Sequence, residues 1–471
     1  MTTVSPAEQA SAPVLLNGFS AALCILQFVR DPISALRKIH ADHGPFVVLG
    51  RVLPSIPAKP NVMAVGAAFN REVLGNPDVW RTAGIVLRGP KGSAQSRLRA
   101  GIVRSNGREH AHYRPMISAP LARPRVEKLG DQMVQIAQSE IGSWPGGGSV
   151  ELWPLVQTLM RRFAISLLFG NDSEHATAVA EMLREHVQYN YDPMVVGCPI
   201  NVHGTPYHSM LQHSIAFERR ILDWVKTKKS ECPDGRDLLS LVANNPDENG
   251  KVPSDEAIAG HVPTLFGASF ETCQSVLFWT LVLLIQHPGV ARALSDELSA
   301  ADENNFEQTS RLPLLEAVVN ESMRILPPVP LQFRVSTQST QLQGYRIPDG
   351  TRVCLSPFLT NRSSALFPNP DRFDPQRWFS IKPSAYECLV FSAGPRSCPG
   401  FWFGRSVVKT ALVAIMRRWR LAFSAGTRID YKVNIAMEPG PGVLVKILSQ
   451  DGMFSAGPVG GKINDLVAMP N

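Results

Sequence analysis

The spacing of apolar residues predicts a mainly helical chain. From about residue 108 to residue 326, apolar positions recur every three to four residues, as on the buried face of a helix. The stretch 254–286 is the longest, and its second half is apolar on nearly every face, so we expect it to cross the protein interior. The helical stretches in this region are 151–169, 174–190, 207–229, 254–286, 288–301 and 312–326.

Short strands are predicted on both sides of this helical region. Residues 46–49 and 62–65 are continuous apolar runs and predict an early pair of strands. The Pro-Asp-Gly sequence at 348–350 is a turn signal, so we expect a hairpin joining 343–347 to 352–355. The fold class predicted from these patterns is mainly α with small β-sheets (α+β).

One further helix is predicted near the end of the chain, over residues 400–419. No internal repeat or linker divides the sequence, so we expect residues 1–471 to form a single domain with loose tails at 1–14 and 450–471. The apolar side chains of the last helix fall on one stripe, namely Val408, Ala411, Leu412, Ile415 and Trp419.

Composition excludes several classes of protein. Hydrophobic residues make up 44% of the 471 residues and charged residues 18%, which excludes disorder and coiled coil as the main state. The net charge of +7 is too small to indicate nucleic-acid binding by itself. The seven cysteines form no C-x-x-C pair, so we expect neither a disulfide framework nor a zinc site but a reducing, cytoplasmic location.

The sequence predicts no transmembrane anchor. Residues 13–29 are apolar on average, but they include polar residues and no basic residue precedes them, unlike a secretory signal. The apolar run 276–285 is too short to span a bilayer and is typical of a buried helix. We therefore expect a soluble protein.

The strongest chemical signal is residues 391–400, Phe-Ser-Ala-Gly-Pro-Arg-Ser-Cys-Pro-Gly. Gly394 and Gly400 flank Cys398 and allow tight turns and close approach of the backbone to a flat ligand. Cys398 lies just before the predicted helix, whose N-terminus favours a thiolate. Phe391 can cover the sulfur, and Arg396 adds a positive charge suited to a carboxylate.

This segment matches F-x-x-G-x-R-x-C-x-G at every defined position, and the chain here resembles the cytochrome P450 family of soluble, bacterial type. The resemblance extends from about residue 30 to about residue 449. It implies that family's fold, with haem b held between a long central helix and the loop and helix of the ligand cysteine. It also implies Cys398 as the axial ligand of the haem iron. The alternative is a buried structural cysteine in a glycine-rich turn.

A second pattern lies on the helix predicted at 312–326. Glu321 and Arg324 form an E-x-x-R pair whose members project from one helix face. Residues 370–373, Pro-Asp-Arg-Phe, resemble the family's P-E-R-F motif with Asp in place of Glu. The resemblance implies that Arg372 joins Glu321 and Arg324 in a buried network with a structural role.

A third pattern is Ala-Ser-Phe-Glu-Thr at 268–272, on the longest predicted helix. It resembles the family's A-G-x-E/D-T segment on the oxygen side of the haem. The resemblance implies that Thr272 and Glu271 relay protons during O–O cleavage. Ser269 replaces the usual glycine, which could alter the groove that admits oxygen. The alternative is a threonine that bonds to its own helix beside a solvated glutamate.

Three more residues are candidates to contact the haem carboxylates. Gly107-x-x-His110-x-x-x-Arg114 resembles a family pattern whose basic residues touch these carboxylates. Pro115 follows directly and disfavours helical geometry at Arg114. Arg334 is a further candidate by resemblance.

The implied reaction inserts one oxygen atom from O2 into a hydrophobic small molecule by hydroxylation or epoxidation. Electrons would come from NAD(P)H through a separate ferredoxin or flavodoxin with its reductase. The alternatives are a peroxide-dependent or rearranging haem-thiolate enzyme and a non-enzymatic haem binder. A basic patch beside the last helix would dock the electron donor, unless it is an ordinary solvated face: Arg405, Lys409, Arg417, Arg418 and Arg420.

The family's layout places substrate contacts in five variable stretches of the chain, 82–106, 187–207, 264–272, 328–333 and 437–442. The stretch 82–106 is rich in Lys and Arg without Asp or Glu, and is either an acidic-substrate site or a mobile solvated loop. The stretch 187–207 is apolar and predicts an adaptable lid.

Overall fold

The computed structural model divides the chain into two compact units, which are described separately. We call Met1–Ala83, Arg324–Phe373 and Ser380–Cys398 the sheet unit, and Gly84–Met323, Asp374–Phe379 and Pro399–Asn471 the helical unit. The single-domain organisation stays a prediction. The structure describes residues 12–51, 59–82, 87, 89–170, 173–231, 237–244, 252–302 and 305–470.

Helices account for most of the described residues, as the apolar periodicity predicts. One π-helical turn (Ala164–Leu168) and three 3-10 turns (Pro375–Phe379, Gly394–Arg396 and Lys462–Asp465) accompany them. The α-helices are α1 (Gly18–Arg30), α2 (Pro32–His43), α3 (Ala67–Leu74), α4 (Ala94–Leu98), α5 (Gly107–Ser118), α6 (Arg123–Glu127), α7 (Gly130–Gly142), α8 (Leu152–Phe163), α9 (Ser173–Tyr191), α10 (Pro193–Gly197), α11 (Pro206–Glu231), α12 (Leu238–Asn244), α13 (Asp255–Gln286), α14 (Pro288–Ser299), α15 (Phe306–Thr309), α16 (Pro313–Ile325), α17 (Pro357–Thr360) and α18 (Phe401–Arg418).

The strands are short and form four small sheets. They are β1 (Val14–Leu16), β2 (Phe46–Leu49), β3 (Asn61–Ala64), β4 (Trp80–Thr82), β5 (Ser149–Glu151), β6 (Gln332–Ser336), β7 (Thr340–Leu342), β8 (Tyr345–Ile347), β9 (Arg352–Leu355), β10 (Trp419–Phe423), β11 (Tyr431–Val433), β12 (Met437–Pro439) and β13 (Leu444–Ser449).

A six-stranded sheet of order β1-β2-β3-β9-β6-β4 organises the sheet unit. The early strand pair is confirmed, since β2 and β3 are antiparallel neighbours. Their apolar runs are continuous because both faces of the sheet are buried. Phe46 and Val48 pack into one hydrophobic cluster, whereas Val47 and Met63 pack into another.

The predicted hairpin is wrong in its pairing. β8 pairs with β7, while β9 joins the main sheet between β3 and β6. Gln343 and Gly344, with φ of 48° and 80°, form the turn between β7 and β8. Positive φ at both central residues is the two-residue hairpin geometry that matches strand twist, so this turn closes the hairpin instead of 348–350.

The long helix α13 confirms the prediction for 254–286 and forms the core of the helical unit. It begins at the Ser254 cap, whose side chain accepts a hydrogen bond from the Ala257 amide, with Asp255 and Glu256 in its first turn. This helix is also long and apolar enough to cross a membrane. However, 72% of its most apolar window is buried inside the protein, as in a core helix.

Two expectations about the chain end are wrong. Trp419 begins strand β10 and is not part of α18. The segment expected to be a loose tail after residue 450 includes the 3-10 turn at Lys462–Asp465, and Ile463, Leu466 and Val467 are fully or almost fully buried. These three apolar side chains anchor the segment, because burying each one is worth about 1.5–3 kcal/mol.

Of the tail at 1–14, residues 1–11 lie outside the described residues.

Candidate functional site

The loop that carries Cys398 closes on itself. The Cys398 amide donates to the Phe391 carbonyl at 2.8 Å, and the Ser397 amide donates to the Gly394 carbonyl at 3.0 Å. Arg396 ends the 3-10 turn between these residues. Cys398 itself is exposed, and α18 begins three residues later along the chain. The loop therefore presents the sulfur on a backbone that is fixed by its own hydrogen bonds.

Gly394 is required by its surroundings. Its φ is +69°, and a Cβ atom added there would lie 2.4 Å from the Leu74 carbonyl oxygen. Both the conformation and the close approach exclude a larger residue, because the neighbour is backbone and cannot rotate away.

We expect Gly394→Ala to lose most of its bound haem, because the loop can accept a methyl group only by moving away from Leu74. The matched control is Gly426→Ala, since Gly426 has φ of +75° but no atom within 4 Å of an added Cβ. The control should lose only about 1–2 kcal/mol of folding free energy, which is the conformational penalty of a positive φ for alanine. The ratio of Soret to protein absorbance measures haem content. Equal ratios in the two variants would contradict the prediction.

Two arginines in the sheet unit, Arg334 and Arg396, lie close enough for their charges to act on each other. Arg334 is buried on β6, and its Nη1 donates to the Phe333 carbonyl at 2.9 Å. Burial, reinforced by the charge of Arg396, lowers the pKa of Arg334 to about 10. Among the described residues no carboxylate forms an ion pair with Arg334. A fixed thiol with two nearby guanidinium groups fits a haem, which brings both an iron and anionic carboxylates.

Glu271 and Thr272 occupy one turn of α13 in the helical unit. Thr272 Oγ1 donates to the Ala268 carbonyl at 2.7 Å, and Ser269 Oγ donates to the Phe266 carbonyl at 2.9 Å. The threonine thus bonds to its own helix, as the simpler alternative expects. Glu271 departs from that alternative because it is buried and not solvated.

The carboxyl of Glu271 keeps its proton at neutral pH. Burial, and secondarily the negative charge of Glu438, raises the pKa of Glu271 to about 8. Its Oε2 is buried without a hydrogen-bond partner among the described residues. A neutral carboxylic acid with a pKa near working pH is suited to donate a proton.

This pKa makes the stability of the protein depend on pH. Between about pH 4.5 and pH 8 the folded protein keeps the Glu271 proton while the unfolded chain releases it. The free energy of unfolding therefore falls as pH rises through this window, by at most about 1.4 kcal/mol per unit. Glu271→Gln cannot titrate at this position, so we expect its free energy of unfolding not to show this fall. The difference in the free energy of unfolding between Glu271→Gln and wild type, measured by urea denaturation, should therefore grow in favour of the variant up to pH 8. Glu174→Gln, at a side chain that is 91% exposed, should show a constant difference.

Glu321 is fully buried and is the centre of a polar network in the helical unit. It accepts hydrogen bonds from Arg377 Nε at 3.0 Å, Trp378 Nε1 at 2.9 Å and the Asp374 amide at 3.0 Å. The sequence prediction did not name Arg377 or Trp378. A signal was present, because Pro-Gln-Arg-Trp at 375–378 has the same proline, arginine and aromatic spacing as 370–373.

Arg324 is fully buried in the sheet unit and bonds to backbone carbonyls. Its guanidinium donates to the carbonyls of Asn361 at 3.0 Å, Pro370 at 2.8 Å and Arg372 at 3.3 Å. The contribution of Arg372 to these bonds is its backbone carbonyl, and a role for its side chain stays a prediction. Arg324 thus holds together two stretches of the irregular coil that precedes Cys398.

His110 and Arg114 lie one turn apart on α5, which continues to Ser118. Arg114 is helical although it precedes Pro115, a position that disfavours helix. Proline within a helix removes one amide donor, here the bond to the carbonyl of Ala111. Ala111 is exposed, so water can satisfy that carbonyl. The contact of His110 and Arg114 with a cofactor stays a prediction.

The basic patch expected beside α18 is largely neutralised. Arg405 and Lys409 are buried and both pair with Glu316, with Lys409 Nζ 3.0 Å from its carboxylate. Arg420 pairs with Asp451 at 2.7 Å. Charge reversal at Arg405 or Lys409 would break buried pairs and would not test docking. Arg418, which also belongs to this predicted patch, is exposed.

The basic stretch at 82–106 is only partly solvated. Arg97 forms two hydrogen bonds of 2.6 Å with Glu218. Lys91, Arg99 and Arg104 line a cavity of about 520 Å³ that also includes Glu109. Residues 83–86 and 88 of this stretch lie outside the described residues. In the expected lid, Met194 and Val196 are exposed whereas Val195 is buried.

Known proteins resemble this chain in sequence and in fold. The chain is 30% identical over 433 residues to cyclooctatin synthase of Streptomyces melanosporofaciens, covering 88% of this chain and 91% of that protein. It is 28% identical to cyclooctat-9-en-7-ol 5-monooxygenase of the same organism, covering 88% and 90%. The fold matches that of a retinoic acid-bound cyanobacterial CYP120A1, with a TM-score of 0.79, 20% identity and coverage of 93% and 100%.

The sequence also matches the family described as Cytochrome P450 over residues 14–445, which is nearly the whole length. The relatives carry the names of a synthase and a monooxygenase, and the solved structure has the same fold. The chain therefore belongs to the cytochrome P450 family and is a haem-dependent monooxygenase.

Proposed function

We propose that this monooxygenase hydroxylates or epoxidises a terpenoid, with Cys398 as the thiolate ligand of haem b. The observation that supports this most directly is the Cys398 loop, fixed by the Phe391 carbonyl and by the glycine at position 394. Arg396 and Arg334 would bind the haem carboxylates. When bound, a thiolate-ligated haem supplies O2 activation and O–O cleavage.

Glu271 and Thr272 are proposed to deliver protons. Glu271 holds a proton at neutral pH because it is buried, with a pKa of about 8. Thr272 Oγ1 has committed its own hydrogen to the Ala268 carbonyl, which leaves the oxygen lone pairs to accept a hydrogen bond. The pair thus combines a donor with an orienting acceptor.

A terpenoid substrate is supported by the relatives. The name of one of them states that it acts on cyclooctat-9-en-7-ol, an unsaturated alcohol, and a further relative is named pentalenene oxygenase. We further propose a cytoplasmic enzyme that receives electrons from NAD(P)H through a ferredoxin or flavodoxin and its reductase. The net charge of +7 favours an acidic partner.

A spectral screen followed by turnover tests this function. The haem-loaded protein is titrated with cyclic terpenes, their alcohols and polar sugars as controls, and the substrate-induced Soret shift is measured. We expect shifts with terpenoids, and one labelled oxygen atom in the product when NAD(P)H, redox proteins and labelled O2 are supplied. A protein that binds haem but shows no shift and no product would overturn the proposal.

The peroxide-dependent alternative predicts a different result. Such an enzyme would turn over with hydrogen peroxide as well as, or better than, with NAD(P)H and redox proteins. The buried acid Glu271 favours the O2-driven route, since peroxide already carries the protons that this route must supply. Glu271→Gln should therefore slow O2-driven turnover and spare peroxide-driven turnover.

A further inference from the structure

One backbone carbonyl ties the β11–β12 hairpin to α13. The Met437 carbonyl accepts from Ser275 Oγ at 2.7 Å and from Trp279 Nε1 at 2.8 Å. Ser275 and Trp279 follow Glu271 at intervals of four residues, so the three side chains share one face of the helix. The residue after Met437 is Glu438, which is thereby held close to the turn that carries Glu271.

Glu438 connects this buried region to the surface. Its side chain is 15% exposed, and its Oε2 lies 3.2 Å from Nζ of Lys432, its cross-strand neighbour, which is 57% exposed. Asn434 Nδ2 donates to the same oxygen at 3.3 Å. Because both contacts use Oε2, Oε1 remains available for exchange with another group.

Glu271 is buried whereas Glu438 is half-buried, and Glu271 has an unused polar atom. Its Oε2 is buried without a hydrogen-bond partner among the described residues. The negative charge of Glu438 adds to the effect of burial in raising the pKa of Glu271. The charged groups around the pair are therefore Glu438 facing Glu271, and Lys432 facing Glu438 from the partner strand.

We propose that Glu438 supplies protons from solvent to Glu271, so that the β11–β12 hairpin is the proton-uptake site of the helical unit. After Glu271 gives up its proton, the Glu438 carboxylate takes a proton from bulk water and passes it to the Glu271 carboxylate, directly or through hydrogen-bonded water. Glu438 is then a carboxylate again, and no other bond changes. Glu438 acts through Glu271. This inference rests on the proposed function, in which Glu271 is consumed as an acid.

The test uses Glu438→Gln in the haem-loaded enzyme. We expect O2-driven product formation to fall about tenfold, with KM near wild type and more reducing equivalents recovered as hydrogen peroxide. Peroxide-driven turnover should be unchanged. The matched control is Lys432→Gln, which removes the other charge of the surface pair but keeps the carboxyl, and should retain coupled turnover.

A second readout needs no turnover. The infrared band of the protonated Glu271 carboxyl is identified by its absence in Glu271→Gln. In Glu438→Gln this band should titrate at lower pH, because a neighbouring negative charge has been removed. A role of Glu438 in folding alone would not move it.

Two outcomes would overturn the inference. One is wild-type product formation and peroxide release in Glu438→Gln. The other is an unchanged titration of the Glu271 band. Failure of the proposed function looks different: wild type would then lack O2-driven product altogether, while the infrared titration would still show whether the two carboxyl groups interact.

Discussion

Replacing Cys398 by serine is expected to abolish O2-driven turnover and the absorption typical of a reduced thiolate–carbonyl complex. The hydroxyl of serine is a far weaker acid than a thiol, so it stays protonated and cannot supply the electron density that favours O–O cleavage. The loop itself should survive, because its hydrogen bonds run between the backbone atoms of Phe391, Gly394, Ser397 and Cys398. The carbonyl difference spectrum of the reduced protein measures the effect.

The control for this substitution is Cys198→Ser. Cys198 is also exposed, and it follows the short helix α10. Its replacement should leave the carbonyl spectrum unchanged. A Cys398→Ser protein that keeps the wild-type spectrum would show that another residue binds the iron, and the proposed function would then fail.

Removing the carboxylate of Glu321 is expected to cause the largest loss of folding stability. Glu321→Gln leaves the buried Arg377 guanidinium without its counter-charge, which typically costs about 3–5 kcal/mol. The side chain of Arg377 is only 7% exposed, so water cannot replace the lost partner. Urea denaturation of the two proteins measures the difference in the free energy of unfolding.

Two further variants make this result specific. Trp378→Phe removes only one neutral donor to the Glu321 carboxylate and should cost about 1.5–3 kcal/mol. Lys38→Met breaks an ion pair to Asp42 of similar length, 2.8 Å, whose side chains are 62% and 46% exposed. That change should cost less than about 1 kcal/mol. A Glu321→Gln protein as stable as Lys38→Met would contradict the assignment of a buried network.

The sequence predicts best where the signal is local and dense. The bounds of α13 follow from its unbroken apolar run and from the Ser254 cap, and both act within the helix itself. The fold class, confirmed by the family match, follows from the same periodicity. The pairing of β9 does not, because its neighbours β3 and β6 are chosen by burial of both sheet faces, and β3 is remote in sequence.

The surroundings of charged residues are also difficult to predict where their partners are distant in sequence. Arg405 and Lys409 look like a surface patch in sequence, yet Glu316 from α16 neutralises them in the fold. No local pattern reveals a partner that tertiary packing brings close. Likewise, two segments within nine residues, 370–373 and 375–378, fit the spacing of the arginine motif. Only the three-dimensional structure shows that Arg377 reaches Glu321.

The parallel pairing of β3 with β9 also constrains how the chain is made. Asn61 to Ala64 receive their partners, Arg352 to Leu355, only after most of the polypeptide has left the ribosome. Until then the apolar strands of the early segment have an open edge, which exposes them to aggregation. Slow translation or limited chaperone capacity should therefore reduce the yield of this protein more than that of one whose sheets are built from neighbouring segments.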